Sequence, residues 1–244
     1  IQVIDADHKL CYLKNQPQET ALSATLTAIQ QDPWIDNSAT RSSVTSSAQA
    51  TLIPASFYQA ELAPAYAQLN FGAIDDQVVM SNYLPQAEAY LVFTLKRSVH
   101  EQYQQAGLQH HYHVATPWLA ALLTQFRGSA KPVLCFDVED PLVRIAVVAQ
   151  GKLEFFNTFR ITGSEDLLYY LVKVARSCGM DTHKHAFYSS GFLFQGTERF
   201  QQLYRYIRYL RFLDQRSAHT RTDHLDPLPE HVFYNILGLS LCAS

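Results

Sequence analysis

The run from Lys131 to Arg176 constrains the fold of this chain more than any other segment. It contains three apolar segments separated by turn residues, followed by a longer segment whose apolar residues have helical spacing. These patterns predict strands at Val133–Phe136, Val143–Ala149 and Lys152–Arg160, then a helix at Ser164–Cys178. Three consecutive strands that lead into one amphipathic helix predict a mixed α/β fold.

Residues at the ends of these elements support the assignment. Ser164 is a suitable N-cap, and Glu165 and Asp166 place negative charge at the positive end of the helix dipole. Gly151 lies between the second and third strands, where a tight turn favours glycine. Gly179 follows the helix, where a left-handed C-cap favours it again. The run therefore turns and ends where its periodicity predicts.

Strands and helices alternate through the rest of the chain as well. Before Lys131 we predict strands at Ile1–Asp5, His8–Leu13, Gln77–Ser81, Ala89–Leu95 and Gln109–Val114, and a short strand that ends at Pro54. We predict helices at Gln18–Gln31, Ser98–Ala106 and Pro117–Arg127, and a helix that begins at Ser56. After the run we predict a strand at Lys184–Ser189, a helix at Glu198–Tyr206, a continuation as helix or strand at Ile207–Phe212 and a final apolar segment at Val232–Leu241.

The segment Gly128–Pro132 separates two structured parts with flexible and helix-breaking residues. We therefore predict two lobes, a first half at residues 1–130 and a second half at residues 131–244. Each half begins with a hairpin and continues with helices and further strands. The predicted fold class is α/β, with a mixed sheet and flanking helices in each lobe.

Composition narrows the possible partners and location. The 244 residues are 48% apolar, enough to bury a sizeable core, and the formal net charge of −3 gives no overall attraction to nucleic acids or acidic membranes. Cys11, Cys135, Cys178 and Cys242 form no C-x-x-C pair, which favours reduced thiols and a cytoplasmic location. We expect neither a membrane span nor, from the opening residues IQVIDADHKL, a signal peptide.

Three segments carry a resemblance to a known family: LIPASFY at Leu52–Tyr58, GKLEFFNTFRITGSEDLLYYLVKV at Gly151–Val174 and FYSSGFLFQ at Phe187–Gln195. With them, the chain resembles a bacterial domain family of unknown function whose ribonuclease H-like fold is similar to that of the actin-like ATPases. That superfamily includes sugar kinases, actin, chaperone ATPase domains and cytoplasmic pilus-assembly proteins. The resemblance implies a two-lobed actin-like fold and no established activity.

The resemblance also implies where a nucleotide would bind. Asp5 and Asp7 flank the first hairpin turn, which would face a γ-phosphate and its metal, but the glycine expected there is missing. The second phosphate loop corresponds to Asp137–Pro141, where carboxylates including Glu139 and a proline replace a glycine-rich loop. Such a loop has fewer backbone donors, and its charge repels phosphate. Bound Mg²⁺ offsets that charge in the alternative interpretation, in which the carboxylates hold a metal.

A third loop, which binds adenosine through paired glycines in the superfamily, resembles Ser190-Gly191-Phe192. One glycine remains, and Phe192 occupies space that a nucleotide needs. The three departures together lead us to expect no ATP hydrolysis and no bound cofactor. Any vestigial nucleotide site would consist of Asp5, Asp7, Asp137, Glu139 and Gly191.

Two other patterns have ordinary structural explanations that we favour. The pairs His111/His113 and His183/His185 have the spacing of ligands on one strand face, but no further zinc ligands are evident. The segment Arg199–Arg216 interleaves arginine with aromatic residues, as proteins that stack on bases do. Because arginine stems also pack over aromatic rings on ordinary surfaces, we expect no nucleic-acid partner.

Two functional hypotheses follow from the sequence. The first is a non-catalytic scaffold or adaptor that binds a protein partner or itself through a surface rich in its 14 tyrosines and 14 phenylalanines. The second is a divergent ATPase or phosphotransferase in which Asp5, Asp7 and Asp137 hold Mg²⁺ and ATP across a cleft between the lobes. The second requires these carboxylates to converge beside a cavity of nucleotide size.

Overall fold

The computed structural model describes residues 2–4, 10–13, 22, 24, 26–27, 31, 42–108, 110–214 and 229–242. Its strands are β1 Gln2–Ile4, β2 Leu10–Leu13, β3 Ser42–Thr45, β4 Ala50–Pro54, β5 Gln77–Leu84, β6 Ala89–Lys96, β7 His110–His113, β8 Val133–Glu139, β9 Leu142–Ala149, β10 Lys152–Arg160, β11 Ala186–Gly191 and β12 Tyr209–Phe212. The α-helices whose bounds the structure describes are α1 Ala63–Phe71, α2 Arg97–Gln105, α3 Ala115–Gln125, α4 Ser164–Ser177, α5 Glu198–Tyr206 and the short α6 Tyr234–Leu237. Short 3₁₀ turns lie at Ala60–Leu62, Pro85–Ala87, Glu230–Phe233 and Gly238–Leu241.

One five-stranded sheet, in the order β10-β9-β8-β11-β12, organises the second half. The three strands predicted from the Lys131–Arg176 run pair antiparallel, while β11 and β12 lie parallel to β8. A parallel neighbour needs a crossover, and α4 and α5 supply the connections before β11 and β12. The mixed α/β architecture predicted for this half is confirmed.

Both faces of this sheet are buried, because its central strands are apolar at successive positions and successive side chains face opposite sides of a sheet. Leu134 and Phe136 of β8 pack with Leu167 and Leu171 of α4 on the outer face. Cys135 of β8 belongs to a second cluster on the inner face, which includes residues of the first half. Charged residues that point to the inner face therefore lie in the interior of the molecule.

The first half contains three smaller sheets within the described residues. The hairpin β1–β2 forms where the sequence predicts it, although its turn lies outside those residues. Strand β3 pairs parallel with β7. The strands that lie between these two in the sequence form an antiparallel sheet in the order β4-β6-β5. Leu22, Leu26 and their helical neighbours lie in the segment predicted as the first helix.

Helix α3 connects the two halves through packing. Its residues from Ala115 to Leu123 are all buried, so the helix is enclosed on every side. It packs with Phe93 of β6 and with Ala146 and Val148 of β9, in one cluster that spans both halves. The C-terminal segment covers α3 as well, since Gly238 approaches the backbone of Pro117 so closely that a side chain would clash.

Several local predictions are wrong at their boundaries. Strand β8 continues to Glu139, so the hairpin turn contains only Asp140 and Pro141. Asp137 is therefore an interior strand residue rather than the first residue of a loop after Phe136. The helix expected from Ser56 begins later, because Pro64 occupies its first turn. His183 and His185 both precede β11, which begins at Ala186, so they do not share a strand face.

The arginine- and aromatic-rich segment changes structure within its length. The helix predicted at Glu198–Tyr206 is confirmed as α5, with both ends as predicted. The chain then turns at Arg208 and forms β12, so Arg205 and Arg211 do not lie on one helical stripe. In the described part of the chain, no helix is long and apolar enough to cross a membrane.

Gly191 ends β11 in a conformation that only glycine adopts without strain. Its φ is +76°, and a Cβ atom there would clash with the carbonyl oxygen of Val138 on β8. The next amide, of Phe192, donates a hydrogen bond of 2.7 Å to that same oxygen. Close backbone approach at the end of a parallel pair thus explains this glycine.

We predict that Gly191→Ala lowers the free energy of unfolding by about 3 kcal/mol or more, because it adds a backbone clash to left-handed strain. Gly179→Ala is the matched control, since its φ is +67° and no atom lies within 4 Å of the added Cβ. Its strain alone costs about 1–2 kcal/mol. Urea unfolding of both variants measures the difference, and equal losses would contradict the close approach.

Candidate functional site

Three polar residues stand side by side on the inner face of the five-stranded sheet. The register pairs Asp137 of β8 with Arg144 of β9 on one side and with Ser190 of β11 on the other. Paired residues of adjacent strands face the same side of a sheet, so the three side chains point together into the interior. All three are fully buried.

The Asp137 carboxylate accepts hydrogen bonds from three side chains, two at Oδ2 and one at Oδ1. Arg144 donates from Nη1 to Oδ2 at 2.5 Å, and the Ser190 hydroxyl donates to Oδ1 at 2.7 Å. Asn235 of α6 donates from Nδ2 to Oδ2 at 3.2 Å. A buried carboxylate is tolerated only when it is paired and hydrogen-bonded, and Asp137 has both kinds of partner.

Arg144 uses its second terminal nitrogen for two further contacts. Its Nη2 donates to Oε2 of Glu139 at 2.5 Å and to the hydroxyl oxygen of Ser46. Ser46 in turn donates to the same Glu139 oxygen at 2.7 Å. The Nε of Arg144 has no hydrogen-bond partner among the described residues. One guanidinium therefore pairs with two carboxylates, of which only Glu139 is partly exposed.

These contacts connect the first half to the second. Ser46 follows β3 in the first half, whereas Arg144 and Glu139 belong to the second. Trp118 of α3 donates from Nε1 to the Ser190 hydroxyl at 3.0 Å, which adds a second polar connection. We call the set Ser46, Trp118, Asp137, Glu139, Arg144, Ser190 and Asn235 the central polar network.

A neighbouring polar cluster lies on the first-half side. Asn82 of β5 accepts from the His113 amide and the Thr116 hydroxyl at 3.0 Å each, and donates to the His111 carbonyl. The His113 ring accepts from the Ala115 amide at 3.2 Å and lies 3.1 Å from the Ser47 carbonyl oxygen. Burial, with the nearby Arg144 charge, lowers the pKa of His113 to about 3. His113 is therefore neutral at ordinary pH and serves as a hydrogen-bonding residue of the core.

The residues proposed from sequence as a vestigial nucleotide site fall into two groups. Asp137, Glu139 and Gly191 meet where β8 and β11 end side by side. Asp5 and Asp7 lie outside the described residues, so their distance from Asp137 is not tested. Whether these five form a nucleotide site stays a prediction.

The histidines are held separately by local hydrogen bonds. The ring of His111 contacts the Ser43 hydroxyl at 2.7 Å across the β3–β7 pair, and His185 accepts from the Asp181 amide at 2.9 Å. No group of three or more potential metal ligands occurs among the described residues. Burial also raises the pKa of the Cys135 thiol well above its usual range and that of Cys242 to about 11. These two thiols are protonated at neutral pH, and thiols in that form are poor nucleophiles.

Sequence reasoning missed the partners of Asp137, namely Arg144, Ser190 and Asn235. One signal was present, since Arg144 is the only charged residue in the otherwise apolar β9 sequence LVRIAVVA. A lone charge in a buried strand requires a buried partner. Counting back through a two-residue turn places Asp137 opposite it.

The chain matches a known protein family over most of its length. Residues 13–210 of the 244 match the family described as protein of unknown function (DUF3822). The chain belongs to the DUF3822 family. No curated protein matches it.

Solved structures establish the fold of this DUF3822 member. A Bacteroides thetaiotaomicron protein with an actin-like ATPase fold and unknown function matches with a TM-score of 0.75 and 18% identity, over 94% of this chain and 84% of that one. A chain of the PilM–PilN type IV pilus biogenesis complex matches with a TM-score of 0.69 and 12% identity, over 98% and 94% of the two chains. The chain has an actin-like ATPase fold, as its resemblance implied, and identities this low show the fold alone.

We predict that Arg144→Met lowers the free energy of unfolding by about 3–5 kcal/mol, because it leaves the Asp137 charge buried without its cation. The double variant Asp137→Asn/Arg144→Met removes both charges and should recover about half of that loss or more. Urea unfolding of the single and double variants measures both effects.

Arg199→Met is the matched control. Arg199 pairs with Asp140 at 2.7 Å, but both side chains are partly exposed. Loss of an exposed pair costs about 1 kcal/mol or less. If Arg144→Met costs no more than Arg199→Met, the buried pair does not have the importance that we assign to it.

Proposed function

We propose that this DUF3822 protein is a non-catalytic scaffold or adaptor that acts through protein–protein interaction. The observation that carries the proposal is that Asp137 already accepts hydrogen bonds from Arg144, Ser190 and Asn235. A carboxylate that is to hold a metal–nucleotide complex needs free oxygen lone pairs. At Asp137, three of the roughly four lone-pair positions are occupied by donors of the chain itself.

The β8–β9 hairpin also lacks the means to hold a phosphate. Phosphate loops offer several free backbone N–H groups in a concave turn. Here the turn is only two residues long, and Pro141 has no N–H to offer. Asp140 adds a negative charge, which is paired with Arg199 at the surface. The hairpin is built for strand pairing, and its charge disfavours an anionic ligand.

The third loop supports the same interpretation. Gly191 is accounted for by its close approach to Val138, and the Phe192 amide is already bonded to the Val138 carbonyl. The Phe192 side chain is half exposed beside this bond. A single glycine with an internal structural role is weak support for an adenosine site.

Connections between the halves favour a rigid body over a cleft that opens. Opening would separate Ser46 from Arg144 and Trp118 from Ser190, and would expose the enclosed helix α3. Each broken buried hydrogen bond leaves a desolvated polar group without a partner, at about 1–3 kcal/mol per group. A scaffold benefits from such rigidity, whereas many nucleotide-splitting enzymes close around their substrate.

The interaction role itself rests on surface residues and on analogy. Exposed large side chains include Phe57, Leu69, Tyr169 and Tyr204, each more than half exposed. The PilM–PilN structure is a complex between two proteins, which offers a precedent for this fold and no more than that. We place the protein in the cytoplasm, because Cys135, Cys178 and Cys242 are free thiols.

We predict no rise in melting temperature with ATP, ADP or GTP at millimolar concentration, with or without Mg²⁺. A ligand that binds only the folded state raises that temperature by mass action, so the assay detects weak binding. A magnesium-dependent rise would contradict the proposal and favour the divergent ATPase or phosphotransferase instead. Glu139→Gln, which keeps the side-chain shape, then tests whether such binding uses the predicted carboxylates.

A further inference from the structure

Helix α4 presents an outer stripe that the central polar network does not use. The sheet side of the helix is buried through Leu167 and Leu171. Leu168, on the flank of the helix, is partly open, and so is Val172 on the far side, where Tyr169 is 56% exposed. A helix with an apolar stripe on both sides requires a second packing partner.

That stripe forms one wall of a surface groove. The groove has a volume of about 650 Å³, and its other wall is α5, through Gln202 and Tyr206. Lys173 lies over the ring of Tyr169 at 5.4 Å from the ring centre. The groove is therefore apolar along its centre and lies between two helices, a shape that receives a third helix.

Charge is distributed unevenly along the groove. Glu165 lines its end near the start of α4, while Lys173 and Arg176 line the end near the finish of the helix. Neither Glu165 nor Arg176 forms an ion pair with another described residue. The groove thus has an acidic end, an apolar centre and a basic end.

The charge distribution of α4 is complementary to that of a second α4 helix that runs in the opposite direction. If a second copy of α4 lies antiparallel across a two-fold axis near Tyr170 and Leu171, Glu165 of each copy meets Arg176 of the other. The same register places Tyr169 opposite Val172, and Leu168 opposite the aliphatic stem of Lys173. Such reciprocal contacts are what a two-fold interface requires.

We propose that the α4–α5 groove binds a second copy of this chain, with the two α4 helices packed antiparallel in a symmetric dimer. The inference rests on the proposed interaction function and names its surface and its partner. Glu165 and Arg176 lie about 16 Å apart along the helix, so the two pairs close both ends of the contact. The apolar centre supplies the attraction, and the end charges select the antiparallel orientation.

Charge reversal tests the register directly, using sedimentation velocity of the full chain from about 1 to about 100 µM. We expect wild-type protein to dimerise with increasing concentration. Glu165→Lys and Arg176→Glu should each weaken dimerisation about tenfold or more, because like charges then face each other at both ends. An equimolar mixture of the two variants should regain the dimer, since both pairs are again opposite in charge in the mixed species.

Glu61→Lys and Lys96→Glu make the same changes on exposed residues of the first half and should leave dimerisation unchanged. Recovery in the mixture also shows that both variants are folded. A wild-type chain that stays monomeric at about 100 µM would overturn the inference. So would reversals no stronger than the controls, or a mixture that stays monomeric.

The two proposals fail in different experiments. Monomeric protein that shows no nucleotide-dependent melting shift leaves the scaffold function standing and removes this interface. If Mg²⁺ and nucleotide raise the melting temperature of protein that dimerises through α4, the scaffold function is removed and this interface is left standing.

Discussion

The buried ion pair between Asp137 and Arg144 is the interaction on which the interior of this protein depends. Both side chains are fully buried, so neither charge is tolerable without the other. The pair lies in register across β8 and β9, and it draws Ser190, Asn235 and Ser46 into contact from three other parts of the chain. Hydrophobic packing alone would allow several arrangements of the halves, whereas a buried network of directional hydrogen bonds favours one.

This network contains Asp137 and Glu139, two of the residues that the family resemblance leads us to expect in a vestigial nucleotide site. The family and the fold are shown, and neither carries an activity with it. In our proposal, the Arg144 guanidinium on the adjacent strand supplies the positive charge that a metal ion supplies in the alternative ATPase hypothesis. Arg144 and Ser190 also contact residues of the first half, so in our proposal the loss of a ligand role and the gain of a rigid joint come from one network. The outer surface of α4, which the network does not use, is the interaction surface that we propose.

The sequence predicts the elements of the second half closely because their signals are local. Strand β10 and helix α5 begin and end as predicted, at turn and capping residues visible within a few positions. The central polar network was missed for the opposite reason. Two donors to Asp137 lie 53 and 98 positions away in the chain, so no local pattern reveals them. The nearest, Arg144, lies only seven positions away, but the strand predicted from the sequence ends at Phe136 and leaves Asp137 in the loop that follows.

Amide hydrogen exchange of β8 and β11 tests the central claim most directly, through residues such as Phe192, whose amide bonds to Val138. If the network locks the halves together, these amides exchange only when the whole protein unfolds, and Mg²⁺-ATP leaves their rates unchanged. Exchange through a local opening well below the global free energy of unfolding, slowed by Mg²⁺-ATP, would show instead a cleft that opens and binds nucleotide.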